Sequence, residues 1–162
     1  MLQPDLRVRS LLLRNELARE YRLVDDYGAD ALLLELAAAR YGHTAALISR
    51  TGADPFGDFV RNSLREFGVH IEYVRADPTL PTPVTFCELF PPDNFPLYFY
   101  RYPTAPDLRI GPGEIPPVAV RDARLFWATL TGLSAEPSRS AHEEAWELRG
   151  RARHTVIDLD YR

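Results

Sequence analysis

The chain has 162 residues, 46% of them hydrophobic and 26% charged, with a formal net charge of −4. That is enough for one domain with a real core, and too apolar for a disordered chain. No apolar run reaches the roughly 18 residues of a membrane span; the longest, Ala29 to Ala39, is broken by Asp30 and Glu35. The start, Met1-Leu2-Gln3-Pro4-Asp5, lacks the charged-then-apolar order of a signal peptide, so a cytoplasmic protein is expected. Cys87 is the only cysteine, and all 19 basic residues are arginine. This excludes an internal disulfide, a thiolate metal cluster, a lysine Schiff base and a P-loop. Mild acidity with scattered arginines gives no nucleic-acid footprint, and the nearest basic cluster, Arg149 to Arg153, reads as a solvated helix end.

Residues 1–33 fit an ordered pattern least: Arg7 to Leu23 could form a helix, but no strand precedes it. Ala45 to Ser49 reads as a buried strand and Gly52 to Gly57 as a turn. Asp58 to Phe67 then follows helical period, with Phe59, Val60, Leu64 and Phe67 as its apolar stripe and Gly68 as its stop. Asp54 and Pro55 suit an N-cap and first helical position, which would start the helix there. Ile71 to Val74 reads as the next strand. Eleven of the 14 prolines fall between Pro78 and Pro117, a density that excludes long helices and central strands. Within it, Val84 to Phe90 and Leu97 to Tyr102 predict a projecting β-hairpin with Pro91 to Pro96 as its loop. Leu125 to Leu130 is a strand, Ser138 to Leu148 a helix opened by Pro137 and ended by Gly150, and His154 to Asp160 another strand. Near-continuous apolar strands alternating with helices predict an α/β fold, a parallel sheet covered by helices with an inserted hairpin.

Ligands of open parallel sheets bind beyond the carboxyl ends of the strands, and three segments reach such an end. Arg50 to Gly57 offers glycines and a helix start to an anion, although a capped strand-to-helix turn explains the same residues more simply. Leu130-Thr131-Gly132-Leu133-Ser134 is equally ordinary as turn chemistry. In Asp158-Leu159-Asp160-Tyr161-Arg162 the two aspartates share a face by alternation. They could bind a metal or share a proton, or one could pair with Arg162, which could itself clamp a carboxylate or phosphate. On the hairpin, Leu97, Phe99 and Arg101 fall on one face and Tyr98, Tyr100 and Tyr102 on the other. Arg101 is placed either to close over an anionic ligand or to sit at the surface beside a packing stripe. His43, His70, His142 and His154 show neither metal spacing nor a triad partner and read as structural or exposed.

Ala37 to His43 followed by Ala46 to Gly57 resembles the amino-terminal half of ribokinase-like (PfkB) carbohydrate kinases. Five further stretches are similar in particular to the 5-dehydro-2-deoxygluconokinases of inositol catabolism. These are Pro81 to Glu88 with Phe95 to Arg101, Thr131 to Ser134, Glu136 to Arg139, and Asp158 to Arg162. The resemblance runs from about Leu36 to Arg162 and implies residues 34–162 as the amino-terminal half of a kinase domain. The lid would be about 83–102, and 1–33 a divergent start. It implies a Rossmann-like domain with a β-sheet lid that often forms a dimer contact, ATP and magnesium as cofactors of the full-length family, and phosphoryl transfer to a sugar or sugar-acid hydroxyl. It carries substrate-acid contacts onto Tyr100, Arg101 and Arg162.

Where the family has a Gly-Gly-x-x-x-Asn sugar motif, this chain has Gly28-Ala29-Asp30-Ala31-Leu32-Leu33, and a leucine cannot bond a sugar hydroxyl. The Gly-Ala-Gly-Asp anion hole, catalytic base and nucleotide pocket have no counterpart in these residues. The expectation is therefore a truncated, sugar-binding portion with an aberrant start, inactive by itself, with no catalytic or metal-binding residue and weak affinity at best for ATP. It is also expected to expose an apolar sheet edge and to be marginally stable or self-associating. The alternatives are a non-catalytic binding or dimerisation module, or a portion of a ketodeoxygluconate kinase or fructokinase.

Overall fold

A computed structural model describes residues 36–88, 90, 93–94, 96–151 and 154–159; the expectations for residues 1–33, Asp160 and Arg162 lie outside these. In chain order come helical residues 36–40, β1 (Ser49–Gly52), α1 (Pro55–Glu66), β2 (Val74–Asp77) and the hairpin strands β3 (Val84–Cys87) and β4 (Leu97–Tyr100). They are followed by α2 (Pro117–Asp122), β5 (Leu125–Thr129), α3 (Ser138–Arg149) and β6 (His154–Asp158), with short 3₁₀ turns at Pro106–Arg109 and Leu130–Leu133.

Adjacent residues of an extended segment point to opposite sides, and Leu47 and Ile48 use this to build two layers. Leu47 packs with Leu36, Leu64, Val69 and Val74 in one core cluster, which places α1 on that side. Ile48 packs against Ile115, Val120, Ala141 and Ala145, which places α2 and α3 on the other. The strands pair in parallel, β1 with β2 and β5 with β6. This is the expected α/β pattern with helices on both faces. Among the described residues the parallel strands form two separate pairs.

Two strand boundaries differ from expectation, for one reason. An isolated parallel bridge joins Ala46 to His70, but the continuous ladder begins only at Ser49 and Val74. Between them the Val74 N–H turns back onto the Ile71 carbonyl at 2.9 Å, so the chain turns at Ile71 to Tyr73 and the register shifts by one residue. Gly52, expected in the turn, is the last residue of β1 and pairs with Asp77. The hairpin forms where the aromatic runs predict it, with Val84 opposite Tyr100 and Cys87 opposite Leu97. The proline-dense middle also holds α2, six residues long with Pro117 at its start, where the missing N–H costs nothing.

The solvated helix end expected at Arg149 to Arg153 is corrected at its first residue. Arg149 is only 5% exposed. Its guanidinium donates to the carbonyls of Val120 (2.6 Å), Ala123 (2.9 Å) and His154 (2.6 Å) and to the Thr155 hydroxyl (2.9 Å). The same group lies 5.7 Å above the Phe126 ring. A planar fork with several donors can satisfy the last carbonyls of α2 and the first residue of β6 together, so burial of the charge is compensated. We predict that Arg149→Leu lowers unfolding free energy by about 3 kcal/mol or more, because it orphans buried carbonyls, and that Arg149→Lys restores only part of it. An unchanged urea midpoint for Arg149→Leu would contradict this.

Candidate functional site

The end of β1, the start of α1 and the root of the hairpin are tied by one carboxylate. Asp54 accepts the N–H of Gly57 at 2.8 Å as the cap of α1, and with its other oxygen the N–H of Thr82 at 2.7 Å. The Thr82 hydroxyl accepts the N–H of Gly52 at 2.8 Å, and Arg61 reaches back from α1 to the Thr51 hydroxyl. Neither glycine has room for a Cβ: at Gly57 it would meet the Gly52 carbonyl, at Gly52 the backbone of Thr82. The glycines of Arg50 to Gly57 thus serve close packing, and Asp54 takes the place that an anion would need at the start of α1. The residues here do not fit a nucleotide phosphate.

Burial of Asp54 acts to raise its pKa, but the N–H groups of Thr82 and Gly57 and the Thr82 hydroxyl outweigh that and hold the carboxyl below its usual range. A depressed folded value means that the stabilisation is complete above the ordinary aspartate value of about 4 and is lost as the pH falls through the folded value. Asp54→Ala should therefore cost about 1–2 kcal/mol at pH 7, and its deficit should narrow below about pH 4. Urea unfolding at the two pH values checks this; a deficit independent of pH would count against it.

The hairpin has two unlike faces. On the outer face Phe86 and Tyr98 lie opposite each other, Tyr100 meets Phe86 edge-on at 5.5 Å, and the Tyr98 hydroxyl donates to Glu88 at 2.8 Å. That bond and the charge of Glu88 push the Tyr98 phenol up. Phe86, Tyr98 and Tyr100 are 47%, 48% and 59% exposed. The alternation that turns these rings to one side carries Thr85, Phe99 and, directly after β4, Arg101 to the other, the inner face, where Thr85 is buried while Phe99 is itself 42% exposed.

Arg101 is half-buried there. Its Nη2 donates to both oxygens of Asp107, at 3.0 and 3.3 Å, with the two side chains 19% and 15% exposed. Asp107 stands on the Pro106–Arg109 turn, which follows the fully buried Ala105 and packs against β1. Sequence reasoning found Arg101 but not Asp107, whose only signal is a turn aspartate after a proline. Thr85 is on the same face of the hairpin as Arg101. It is 8% exposed, and its hydroxyl has no hydrogen-bond partner.

A cleft of about 920 Å³ separates the two strand pairs, with Ala45 to Ser49 on one side and Leu125 to Thr129 on the other, and Asp107 at its margin. The Leu130 to Ser134 segment is a closed turn: both the N–H and the hydroxyl of Ser134 bond the Thr131 carbonyl. Gly132 lies against the ring of His142, whose Nδ1 is 2.8 Å from the Ser138 carbonyl. His142 also lines the cleft. Asp158 ends β6 opposite Thr129; its partners in the aspartate and arginine motif, Asp160 and Arg162, lie outside the described residues. Among the described residues no three metal-ligating side chains come together, and no helix is long and apolar enough to cross a membrane.

The profile of the pfkB family carbohydrate kinases matches residues 7–109. The chain belongs to this family. A 5-dehydro-2-deoxygluconokinase of Photobacterium profundum is 30% identical over 137 residues, covering 83% of this chain and 41% of the relative. A fructokinase of Klebsiella pneumoniae is 33% identical over 133 residues, covering 82% and 42%. The crystal structure of a fructokinase with bound ATP from Xylella fastidiosa superposes with a TM-score of 0.69 at 27% identity, over 79% of this chain and 39% of that one. The chain thus spans about two-fifths of the length of these relatives.

Proposed function

We propose that this chain is the substrate-side portion of an ATP-dependent sugar-acid kinase of the 5-dehydro-2-deoxygluconokinase kind. The observation that carries the reading is Arg101, a half-buried guanidinium on the inner face of the lid, with one nitrogen fixed by Asp107. A fixed, partly desolvated arginine is suited to pairing with a carboxylate, because little side-chain entropy remains to be lost and water screens the pair less than at an open surface. The relatives' names support a sugar as substrate and leave two classes, a sugar acid and a neutral ketose. Arg101 favours the acid. Tyr100 and Arg162 join the proposal through the family resemblance, Tyr100 from the outer face of the hairpin.

Phosphoryl transfer relies on positioning and charge stabilisation. The 162 residues contain no Gly-Ala-Gly-Asp segment, and the start of α1 is closed to phosphate by Asp54. We therefore expect the chain by itself to bind sugar acid without phosphorylating it; formation of phosphorylated product from ATP by the purified chain would refute that part. In calorimetric titration, 5-dehydro-2-deoxygluconate should bind more tightly than fructose, and Arg101→Ala should weaken the acid about tenfold, the loss of one charge-assisted contact. Equal affinity for acid and fructose, or an Arg101→Ala variant that binds as the parent, would overturn the substrate assignment.

The exposed rings on the outer face support a second reading, pairing of two copies through the lid. Replacing Phe86 and Tyr100 by serine should then shift sedimentation from dimer to monomer; a concentration-independent monomer in the parent chain would exclude it.

A further inference from the structure

We propose that the cleft between the two strand pairs is a strand-docking groove, and that the apolar run Leu11-Leu12-Leu13 of this chain docks in it, independently of any substrate. Among the described residues no ladder joins β1 to β5. The stretch leading into β1 alternates its peptide groups. The N–H groups of Leu47 and Ser49 donate to the carbonyls of His70 and Tyr73, both at 3.3 Å, and the Ala45 carbonyl accepts the His70 N–H at 2.9 Å. The peptide groups of Ala46 and Ile48 therefore turn the other way, into the cleft. β5 pairs with β6 along one edge and presents its other edge, Leu125 to Thr129, to the same cleft. Two rows of backbone donors and acceptors on either side of one slot form a template that a single strand satisfies at once.

Handedness says which part of the chain belongs there, because parallel crossovers are right-handed. α1, between β1 and β2, lies on the Leu47 face; α3, between β5 and β6, lies on the Ile48 face. Right-handed connections with helices on opposite faces step in opposite directions, so both pairs run outward from the cleft. Helical residues 36–40 directly precede β1 and pack through Leu36 on the same face as α1. A strand that feeds this helix and then β1 lies beside β1 on the edge away from β2, which is the cleft. Its floor is already built: Ile48 and Phe126 reach the α2 and α3 cluster from the two sides. Central parallel strands read as continuous apolar runs. Before Leu36 such runs are Leu11 to Leu13 and Ala31 to Leu34. The second adjoins the helix and leaves no residues for a turn, whereas Arg14 to Glu35 supplies the dozen or more residues that a crossover needs.

Amide exchange of the full chain, read by NMR at two protein concentrations, tests this. The N–H groups of Ala46 and Ile48 should be protected like those of Leu47 and Ser49, which bond toward β2. Leu12→Pro removes a ladder donor and should speed exchange at Ile48 by about tenfold or more, while Leu47 and Ser49 stay slow. Free exchange of Ala46 and Ile48 in the parent chain would mean an empty cleft and overturn the proposal. Protection that falls on dilution would assign the strand to a second copy, and protection indifferent to Leu12→Pro would assign it to another segment; either result overturns the role of Leu11 to Leu13. If Leu12→Pro does not fold, nuclear Overhauser contacts in the parent chain decide. Contacts from Leu11 to Leu13 onto Ile48 on one side and Phe126 on the other support the docking, and their absence overturns it.

Discussion

The lid of this protein stands on a single carboxylate. Asp54 caps α1 through Gly57 and at the same time holds the backbone of Thr82, where the chain leaves the body for the hairpin. Thr82 returns the link to β1 through Gly52. Three elements that are distant in sequence thereby meet within one hydrogen-bond shell, and both glycines are there because no side chain would fit between them. Capping a helix and rooting a lid are usually separate tasks; here losing the carboxylate would loosen both, and the hairpin would lose the fixed base from which its inner face is presented.

That inner face differs from the outer one in kind. Outward, Phe86, Tyr98 and Tyr100 make an aromatic surface open to solvent. Inward, the hairpin offers a buried hydroxyl without a partner at Thr85 and a guanidinium anchored on one side by Asp107. Period-two alternation separates the two sets, so one short hairpin can serve an interface with one face and a polar ligand with the other. The anchoring of Arg101 matters as much as its charge. A free arginine loses rotamer entropy when it takes a ligand, whereas one held by Asp107 on the Pro106–Arg109 turn has already lost much of it on folding.

Much of this was legible in the residues. Asp54-Pro55 announced the start of α1, Gly150 the end of α3, and the two aromatic runs the hairpin, because caps, breakers and alternation are local signals. The strand limits around Ile71 were not legible: a turn at Ile71 to Tyr73 costs one residue of register, and apolar content cannot show that. Arg149 misled because three nearby arginines look like a solvated helix end, while its burial depends on carbonyls contributed by α2 and β6, remote in sequence. Thr85 and Asp107 were invisible for the same reason. A threonine in a strand and an aspartate in a turn are ordinary until the hairpin register sets the first opposite Phe99 and the fold brings the second to Arg101.

The central claim is that the inner face of the lid is where a sugar acid binds, and amide chemical-shift mapping of the labelled chain with 5-dehydro-2-deoxygluconate tests it most directly. The largest perturbations are expected to cluster at Thr85, Phe99, Arg101 and Asp107. Perturbations confined to the outer face around Phe86, Tyr98 and Tyr100, or a spectrum unchanged at saturating ligand, would contradict it.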